Sequence, residues 1–235
     1  MMSATVVTHP GLARTENQDT ALIPGFCSTG LTASPSTFRS DAPTALYAVI
    51  DGMSGHANGQ DASRSVAFYL SEQSTADVAS LLDGANRMLY DRMRRNPELT
   101  GMGATIAGIT VADDQVTAFN VGDARVYHYA DGNLMLLTKD DRSSPASHAV
   151  TQSLGGADRL TAITPHTFPL EPLRSRERLL VCSDGLTEVV TVDDISELLS
   201  DPDPVRSTSR LLHRALDGGA PDNVTLILIG QEGDH

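Results

Sequence analysis

Aromatic residues are scarce in this chain of 235 residues, which has no tryptophan, five tyrosines and five phenylalanines. Sites that bind nucleobases or sugars depend on exposed rings against which the ligand stacks. The shortage of aromatic residues therefore argues against nucleic acids and carbohydrates as partners.

Positive charge is also in short supply. The 17 lysines and arginines are outnumbered by 30 aspartates and glutamates, which gives a formal net charge of −13. Such a chain repels a nucleic-acid backbone or an anionic membrane surface and attracts divalent cations. We therefore expect neither a nucleic acid nor a membrane as a partner.

Cysteines and long apolar segments are equally rare. The two cysteines, Cys27 and Cys182, are far apart in the sequence, and this usage predicts reduced thiols rather than a disulfide framework. No apolar segment approaches the roughly 20 residues that a membrane-spanning helix needs. Residues 1–10 also lack the basic and apolar regions of a secretory signal. These observations predict a soluble, cytoplasmic protein.

Hydrophobic periodicity predicts both strands and helices. Runs of apolar and β-branched residues predict strands over residues 4–8, 44–51, 104–111, 116–121, 126–129, 134–137, 178–182 and 224–229. Apolar residues at helical spacing, with stop signals at Pro97 and Gly218-Gly219, predict helices over residues 60–72, 75–96, 192–199 and 205–216.

The order of these elements indicates the fold class. Strands occur in runs and helices occur in runs, which favours an α+β fold with antiparallel sheets. A hydrophobic content of 40% can supply one large core at this length, so we expect a single domain over residues 1–235. Asp113-Asp114 and Asp131-Gly132-Asn133 predict the turns of two hairpins. Residues 27–43 and 139–149 are predicted to be loops.

Three short acidic turns each lie at an edge of an aliphatic run: Asp51-Gly52, Asp184-Gly185 and Asp222-Asn223. A carboxylate at the tip of a buried strand, followed by a Gly or Asn that tolerates unusual backbone angles, presents a rigid ligand. Several such tips would together form a cation site of the kind found in two-metal hydrolases. Each turn alone is also consistent with an ordinary surface turn, and Asp123 with Arg125 is consistent with a surface ion pair.

Six motifs extend this pattern over most of the chain: Arg14-Thr15-Glu16-Asn17-Gln18-Asp19, Asp51-Gly52-Met53-Ser54-Gly55-His56, Gly101-Met102-Gly103-Ala104-Thr105, Asn120-Val121-Gly122-Asp123-Ala124-Arg125, Cys182-Ser183-Asp184-Gly185-Leu186 and Pro221-Asp222-Asn223-Val224-Thr225. Their order and approximate spacing resemble those of the metal-dependent serine/threonine phosphatases of the protein phosphatase 2C family, in particular its compact bacterial members. The resemblance covers about residues 5–230. It implies a four-layer αββα sandwich, in which helices flank two central antiparallel β-sheets and a cleft between the sheets holds the metals.

The resemblance assigns the metal centre to acidic residues. It implies that Asp51 bridges two cations, that the Gly52 carbonyl binds one of them, and that Asp184 and Asp222 complete the ligand set. Asp19 is implied as a nearby acidic support. Two such cations activate a bridging water and neutralise the phosphoryl group under attack. Mg²⁺ and Mn²⁺ both prefer oxygen ligands, so the choice between them stays open.

Other residues are implied to act on the substrate or on a third cation. Arg14 matches the family arginine that grips the phosphate, a task that suits its planar guanidinium. Asp123 and Asp184 match a pair that holds a weaker third cation, and Glu188 occupies a position that is often acidic. Asn223 is predicted to orient its neighbours rather than to bind metal. The predicted catalytic set is Arg14, Asp51, Asp184 and Asp222.

The sequence departs from the family pattern at several positions. Gln18 stands where many relatives have Glu, and Met53 stands where some eukaryotic members have a His that protonates the leaving group. His56, three residues further on, is more typical of a packing residue than of a catalytic one. The link between Thr138 and Thr151 is shorter than the mobile flap that relatives commonly insert there. We expect this short link to leave the cleft open and to weaken any third metal site.

The sequence thus predicts a phosphatase, dependent on Mn²⁺ or Mg²⁺, that hydrolyses phosphoserine and phosphothreonine in proteins. As a monomer it would oppose a bacterial serine/threonine kinase. A noncatalytic regulator that uses the same fold to bind a phosphoprotein is the alternative, which Gln18, Met53 and the short link leave open. A third possibility is the same chemistry directed at a regulator of the anti-sigma-antagonist type. Retention of the aspartates in the three acidic turns favours catalysis.

Overall fold

The computed structural model describes residues 1–28, 34–53, 58–112, 115–144 and 149–231. Within these ranges the strands are β1 Met2–His9, β2 Asp19–Ile23, β3 Phe26–Cys27, β4 Ser36–Ser40, β5 Thr44–Gly52, β6 Gly103–Ala112, β7 Gln115–Val121, β8 Arg125–Ala130, β9 Asn133–Leu136, β10 Leu154–Gly155, β11 His166–Leu170, β12 Arg178–Cys182 and β13 Val224–Gln231. The helices are α1 Gly59–Ser71, α2 Val78–Arg95, α3 Asp184–Thr187, α4 Val192–Leu199 and α5 Pro204–Asp217, with a short 3₁₀ helix at Pro97–Leu99.

These strands form two antiparallel sheets. The first sheet has the order β4-β1-β13-β12-β8-β9, and the second has the order β11-β7-β6-β5-β2-β3, with β10 also paired to β6. The long central strands β5 and β6 pair over their whole length, from Thr44 opposite Ala112 to Gly52 opposite Ala104. A one-residue shift in this register would turn every side chain of the strand to the opposite face of the sheet. Because residues on both faces are buried, such a shift is disfavoured.

Three hydrophobic cores separate four layers. The inner core lies between the sheets and includes Val49, Ile109 and Val181. A second core packs α1 and α2 on the outer face of the second sheet, and a third packs α4 and α5 on the outer face of the first sheet. The predicted αββα sandwich is therefore confirmed.

The ends of α2 follow from its sequence. The Asp77 side chain accepts a hydrogen bond from the backbone N–H of Ser80 and thereby caps the first turn. At the other end, Asn96 has an extended backbone because a residue before proline, here Pro97, disfavours the helical conformation. In the described parts of the chain, no helix combines the length and apolar composition needed to cross a bilayer.

Predicted strands and helices agree with the structure, whereas the predicted loop over residues 27–43 is wrong in part. That segment contains β4, which lies at a sheet edge and pairs with β1. Its Thr37 shares a hydroxyl hydrogen bond with Thr5, and only Phe38 among its hydrophobic residues packs against the inner core. Backbone pairing to one neighbour forms this strand, so no apolar run marks it in the sequence.

Four other strands, β2, β3, β10 and β11, are absent from the sequence prediction, and β3 has only two residues. β2 has five buried residues and therefore no alternation, β10 has only two residues, and β11 contains Pro169. Proline is tolerated there because β11 lies at the edge of its sheet. The predicted turn at residues 131–133 is confirmed, with positive φ angles at Asp131 and Gly132. The predicted turn at residues 113–114 lies outside the described residues.

Candidate metal centre

Strand ends from both sheets bring carboxylates to one end of the sandwich. In the second sheet, Asp19 at the start of β2 lies directly opposite Asp51 near the end of β5, and Asp123 follows β7. In the first sheet, Asp184 follows β12 and Asp222 precedes β13. Like charges directly opposite each other on antiparallel strands are destabilising, so the Asp19–Asp51 pair needs compensation by a positive charge.

An open cavity of about 560 Å³ lies at this end of the sandwich. Its lining includes five of the residues selected from the sequence: Arg14, Asp51, Asp123, Asp184 and Asp222. Glu188 and Met53 also line it. Asp19 is 2% exposed and lies behind Asp51 rather than in the cavity wall. His56 lies outside the described residues.

The glycines of the acidic turns permit close approach of backbones. Neither Gly52 nor Gly185 has a positive φ angle, so these two turns do not use the unusual backbone angles that glycine tolerates. A Cβ atom on Gly185 would collide with the carbonyl oxygen of Asn223, and one on Gly52 would collide with the carbonyl oxygen of Gly59. Absence of a side chain lets the turns that bear Asp184 and Asp222 touch.

The electrostatics of the site reflect several carboxylates with little water around them. Burial raises the pKa of Asp51 well above its ordinary value, and the negative charges of Asp19 and Asp184 raise it further. Burial likewise raises the pKa of Asp184 to about 8, with added contributions from Asp123 and Glu188, and raises the pKa of Asp19 to about 6. Such shifts show that these groups favour a nearby cation.

Two arginines neutralise part of this charge. Arg14 donates from Nη2 to Asp222 Oδ2 at 2.7 Å. Arg142 donates from Nε to Asp123 Oδ2 at 2.7 Å and from Nη2 to Asp184 Oδ2 at 3.1 Å. Among the described residues, no three His, Cys, Asp or Glu side chains form a ready-made ligand group for one ion.

Arg142 does not appear in the sequence prediction, because it lies in a segment predicted only as a loop. The possible ion pair between Asp123 and Arg125 is also wrong, since Arg125 forms a two-pronged contact with Asp140 at 2.7 and 3.0 Å. The charged run Asp140-Asp141-Arg142 is a signal in the sequence that these residues form ion pairs, but it does not identify their partners.

A buried hydrogen-bond network supports the carboxylates from below. The Ser183 hydroxyl donates to Asp19 Oδ2 at 2.8 Å and accepts from the backbone N–H of Thr225 at 3.0 Å. Asn223 donates from its side chain to the carbonyl oxygens of Pro10 and Glu16, and it accepts from the backbone N–H of Gln18. Asn223 thus ties the loop that bears Arg14 to the turn that bears Asp222, as its predicted orienting role requires.

Replacement of Ser183 by alanine should destabilise the fold without touching the cavity wall. The change removes one hydrogen-bond donor from a buried carboxylate and the acceptor of a buried N–H, which costs about 1–3 kcal/mol. Chemical denaturation of the metal-free protein measures this loss. Ser71→Ala is the matched control, since its hydroxyl donates to the Phe68 carbonyl oxygen at the exposed end of α1. Equal stability of the Ser183 variant and wild type would contradict the proposed support role.

The residues of the site fit hard divalent cations. All the candidate ligands are oxygen atoms, and this donor type suits Mg²⁺ and Mn²⁺. Two buried oxygen atoms near Asp51, Asp19 Oδ1 and Thr105 Oγ1, have no hydrogen-bond partner within the described ranges. Thr105 lies opposite Asp51 on the neighbouring strand and lines the cavity. Unsatisfied oxygens and repelling carboxylates together favour cation binding here.

Several known proteins with similar sequences or structures are serine/threonine phosphatases. The family model described as protein phosphatase 2C matches residues 35–223. The serine/threonine protein phosphatase PstP of Mycobacterium tuberculosis (strain ATCC 25618 / H37Rv) is 33% identical over 210 residues, which cover 78% of this chain and 40% of that protein. The serine/threonine phosphatase stp of Listeria welshimeri is 26% identical over 214 residues, which cover 78% of this chain and 83% of that protein.

A solved structure extends the similarity to the whole sandwich. The crystal structure of the catalytic domain of PstP, in complex with two manganese ions, has a TM-score of 0.75 and 29% sequence identity. The alignment covers 97% of this chain and 98% of that domain. The aligned part of the chain covers less than half the length of the mycobacterial relative. The chain nevertheless corresponds to nearly all of the PstP catalytic domain.

Proposed function

Because the chain belongs to the protein phosphatase 2C family, we propose that it is a metal-dependent phosphatase that hydrolyses phosphoserine and phosphothreonine in proteins. One observation supports this proposal above the others. Asp51, Asp123, Asp184, Asp222 and Arg14 come from five separate segments and line the same cavity. The noncatalytic alternative offers no reason for a chain to collect repelling carboxylates around a solvent-accessible space.

Three aspartates would hold the cations. Asp51, Asp184 and Asp222, which line the cavity, would supply carboxylate oxygens. The Gly52 carbonyl would supply a further ligand, and Asp19 would support Asp51 from the neighbouring strand. When bound, a pair of Mn²⁺ or Mg²⁺ ions would supply an activated water and neutralise charge on the phosphoryl group. The two manganese ions in the PstP catalytic domain support a site for two cations.

Arg14 would bind the substrate phosphate. Its side chain is 42% exposed and projects to the cavity, where Asp222 accepts one of its N–H groups at 2.7 Å. The planar guanidinium has further N–H donors that suit two phosphoryl oxygens at once. The contact with Asp222 also places the guanidinium next to a candidate metal ligand. One substrate phosphate would therefore contact both the guanidinium and the cation that Asp222 would hold.

Arg14→Ala should lower kcat/KM for a phosphopeptide by about 10- to 100-fold, because charge-assisted hydrogen bonds contribute about 1.5–3 kcal/mol. Arg14→Lys should recover only part of this loss, since a lysine lacks the fork. Steady-state kinetics checks both variants. Arg94→Ala is the control, because Arg94 is exposed and pairs with Asp91 on α2. An Arg14→Ala variant as active as this control would refute the assignment.

The physiological substrate would be a protein phosphorylated by a serine/threonine kinase, which the phosphatase would oppose in the cytoplasm as a monomer. Support for a phosphoprotein comes from the relatives PstP and stp, which are serine/threonine phosphatases. The net charge of −13 argues against a nucleic acid as the substrate, because it repels polyanions.

Hydrolysis of a phosphothreonine peptide tests the function, with Mn²⁺, with Mg²⁺ and with EDTA. We expect phosphate release with either cation and none with EDTA. Asp184→Asn should lower release at least about 100-fold, since removal of one catalytic electrostatic group costs 10²–10³ in rate. Asp83→Asn on exposed α2 should match wild type. Folded, metal-loaded wild type that hydrolyses none of several phosphopeptides, yet binds them, would establish the noncatalytic regulator instead.

A further inference from the structure

The guanidinium of Arg142 lies between two carboxylates of the candidate metal centre. It donates to Asp123 Oδ2 at 2.7 Å and to Asp184 Oδ2 at 3.1 Å. The Arg142 side chain is only 11% exposed, and that of Asp123 is 4% exposed. The contact is therefore an enclosed, two-pronged ion pair rather than a surface one.

The surrounding backbone holds Arg142 in this position. Arg142 forms an antiparallel β-bridge with Val150, so two parts of the short link between Thr138 and Thr151 pair with each other. Next to it, the backbone N–H of Asp141 donates to the Gly122 carbonyl, and its carboxylate accepts from the Gly122 N–H and from Gln152. Gly122 is the residue before Asp123, so Arg142 and its partner are anchored to each other through their neighbours.

Space and charge both disfavour a divalent cation at Asp123 and Asp184 while Arg142 is in place. A Mg²⁺ ion needs carboxylate oxygens at about 2.0–2.1 Å in octahedral geometry. The Oδ2 atoms of both aspartates already accept from the guanidinium. Arginine stays protonated at any pH that proteins tolerate, so its positive charge is permanent. The residues at this position therefore do not fit the third cation that the family resemblance implies.

We propose that Arg142 takes the place of a third divalent cation, so that this chain neutralises the Asp123–Asp184 pair with its own side chain. The proposal rests on the proposed function only for the other two cations, which the remaining oxygens of Asp51, Asp184 and Asp222 would hold. A permanently bound side chain differs from a weakly bound ion because it cannot dissociate. With Arg142 in the third position, the catalytic centre would be complete once two divalent cations are bound.

Counting bound Mn²⁺ ions tests this proposal, by equilibrium dialysis with detection of free Mn²⁺ by electron paramagnetic resonance. Removal of the guanidinium in Arg142→Met should allow one more Mn²⁺ per chain than wild type binds. The double variant Arg142→Met/Asp123→Asn should lose that additional ion. Arg87→Met removes the same charge from an exposed ion pair on α2 and should bind as many ions as wild type.

Asp123→Asn in the otherwise wild-type chain gives a second test, which does not require the Arg142 variant to fold. If Arg142 is the partner of Asp123, this change should leave the number of bound Mn²⁺ ions unchanged. A loss of one ion in Asp123→Asn, or an equal count in folded Arg142→Met and wild type, would overturn the proposal. The wild-type count itself tests the two-cation proposal separately, because the inference about Arg142 depends only on differences between variants.

Discussion

Asp51→Asn is expected to lower kcat/KM for a phosphothreonine peptide by at least about 1,000-fold, equivalent to about 4 kcal/mol of transition-state stabilisation. Asparagine keeps the shape of the side chain and removes its charge. Asp51 is central to the site, since Asp19, Asp184, Asp123 and Asp222 all act on it to raise its pKa. Loss of its charge should therefore weaken both cation positions at once.

The same substitution should not destabilise the metal-free protein. In the absence of cations, Asp51 is removed from water among charges of its own sign, and a neutral amide relieves that repulsion. We expect a thermal unfolding midpoint equal to or above that of wild type in EDTA. Added Mn²⁺ should stabilise wild type much more than the variant, because the stabilisation that a bound ligand gives a fold rises with the logarithm of its affinity.

Opposite changes in activity and stability distinguish a ligand role from a structural one. Asp83→Asn serves as the control, since Asp83 is half exposed and pairs with Arg87 on α2. It should change neither the rate nor the response to Mn²⁺. An Asp51 variant that retains a tenth of the activity, or that unfolds at a much lower temperature in EDTA, would refute this role.

Gly185→Ala is expected to destabilise the protein by about 3 kcal/mol, at the upper end of the usual cost of overpacking. The added methyl group would lie well within the van der Waals contact distance of the Asn223 carbonyl oxygen, which belongs to the backbone and cannot rotate away. The turn that bears Asp222 and Asn223 must then shift. We expect a fall of about 6–12 °C in the unfolding midpoint for a chain of this size, together with weaker Mn²⁺ binding.

Gly230→Ala is the matched control for this prediction. Like Gly185, Gly230 has no positive φ angle, but its nearest contact for an added Cβ is an ordinary 3.7 Å to the Glu177 carbonyl oxygen. Its unfolding midpoint and Mn²⁺ affinity should stay close to those of wild type. Similar behaviour of the two variants would show that the close approach at Gly185 is not the reason for a glycine there.

Local patterns predicted the elements whose causes are local. Helix α4 spans Val192–Leu199, as predicted, because Thr191 caps its first turn and Ile195, Leu198 and Leu199 form a buried face. Strand β12 was predicted because it is a continuous apolar run. Strand β4 was not, because the hydrogen bonds that form it come from β1, more than thirty residues earlier in the chain.

The sequence alone determined the identity of the acidic residues, the grouping of strands and helices, and the resemblance that links six motifs into one site. Those features follow from residue type, periodicity and order along the chain. Only the tertiary structure decided which charge meets which: Asp19 opposite Asp51, Arg125 with Asp140, and Arg142 between Asp123 and Asp184. It also showed that Gly52 and Gly185 are required for close backbone contact rather than for unusual angles. These are contacts between residues that are distant in sequence, and their partners depend on strand register and layer packing, which no local pattern records.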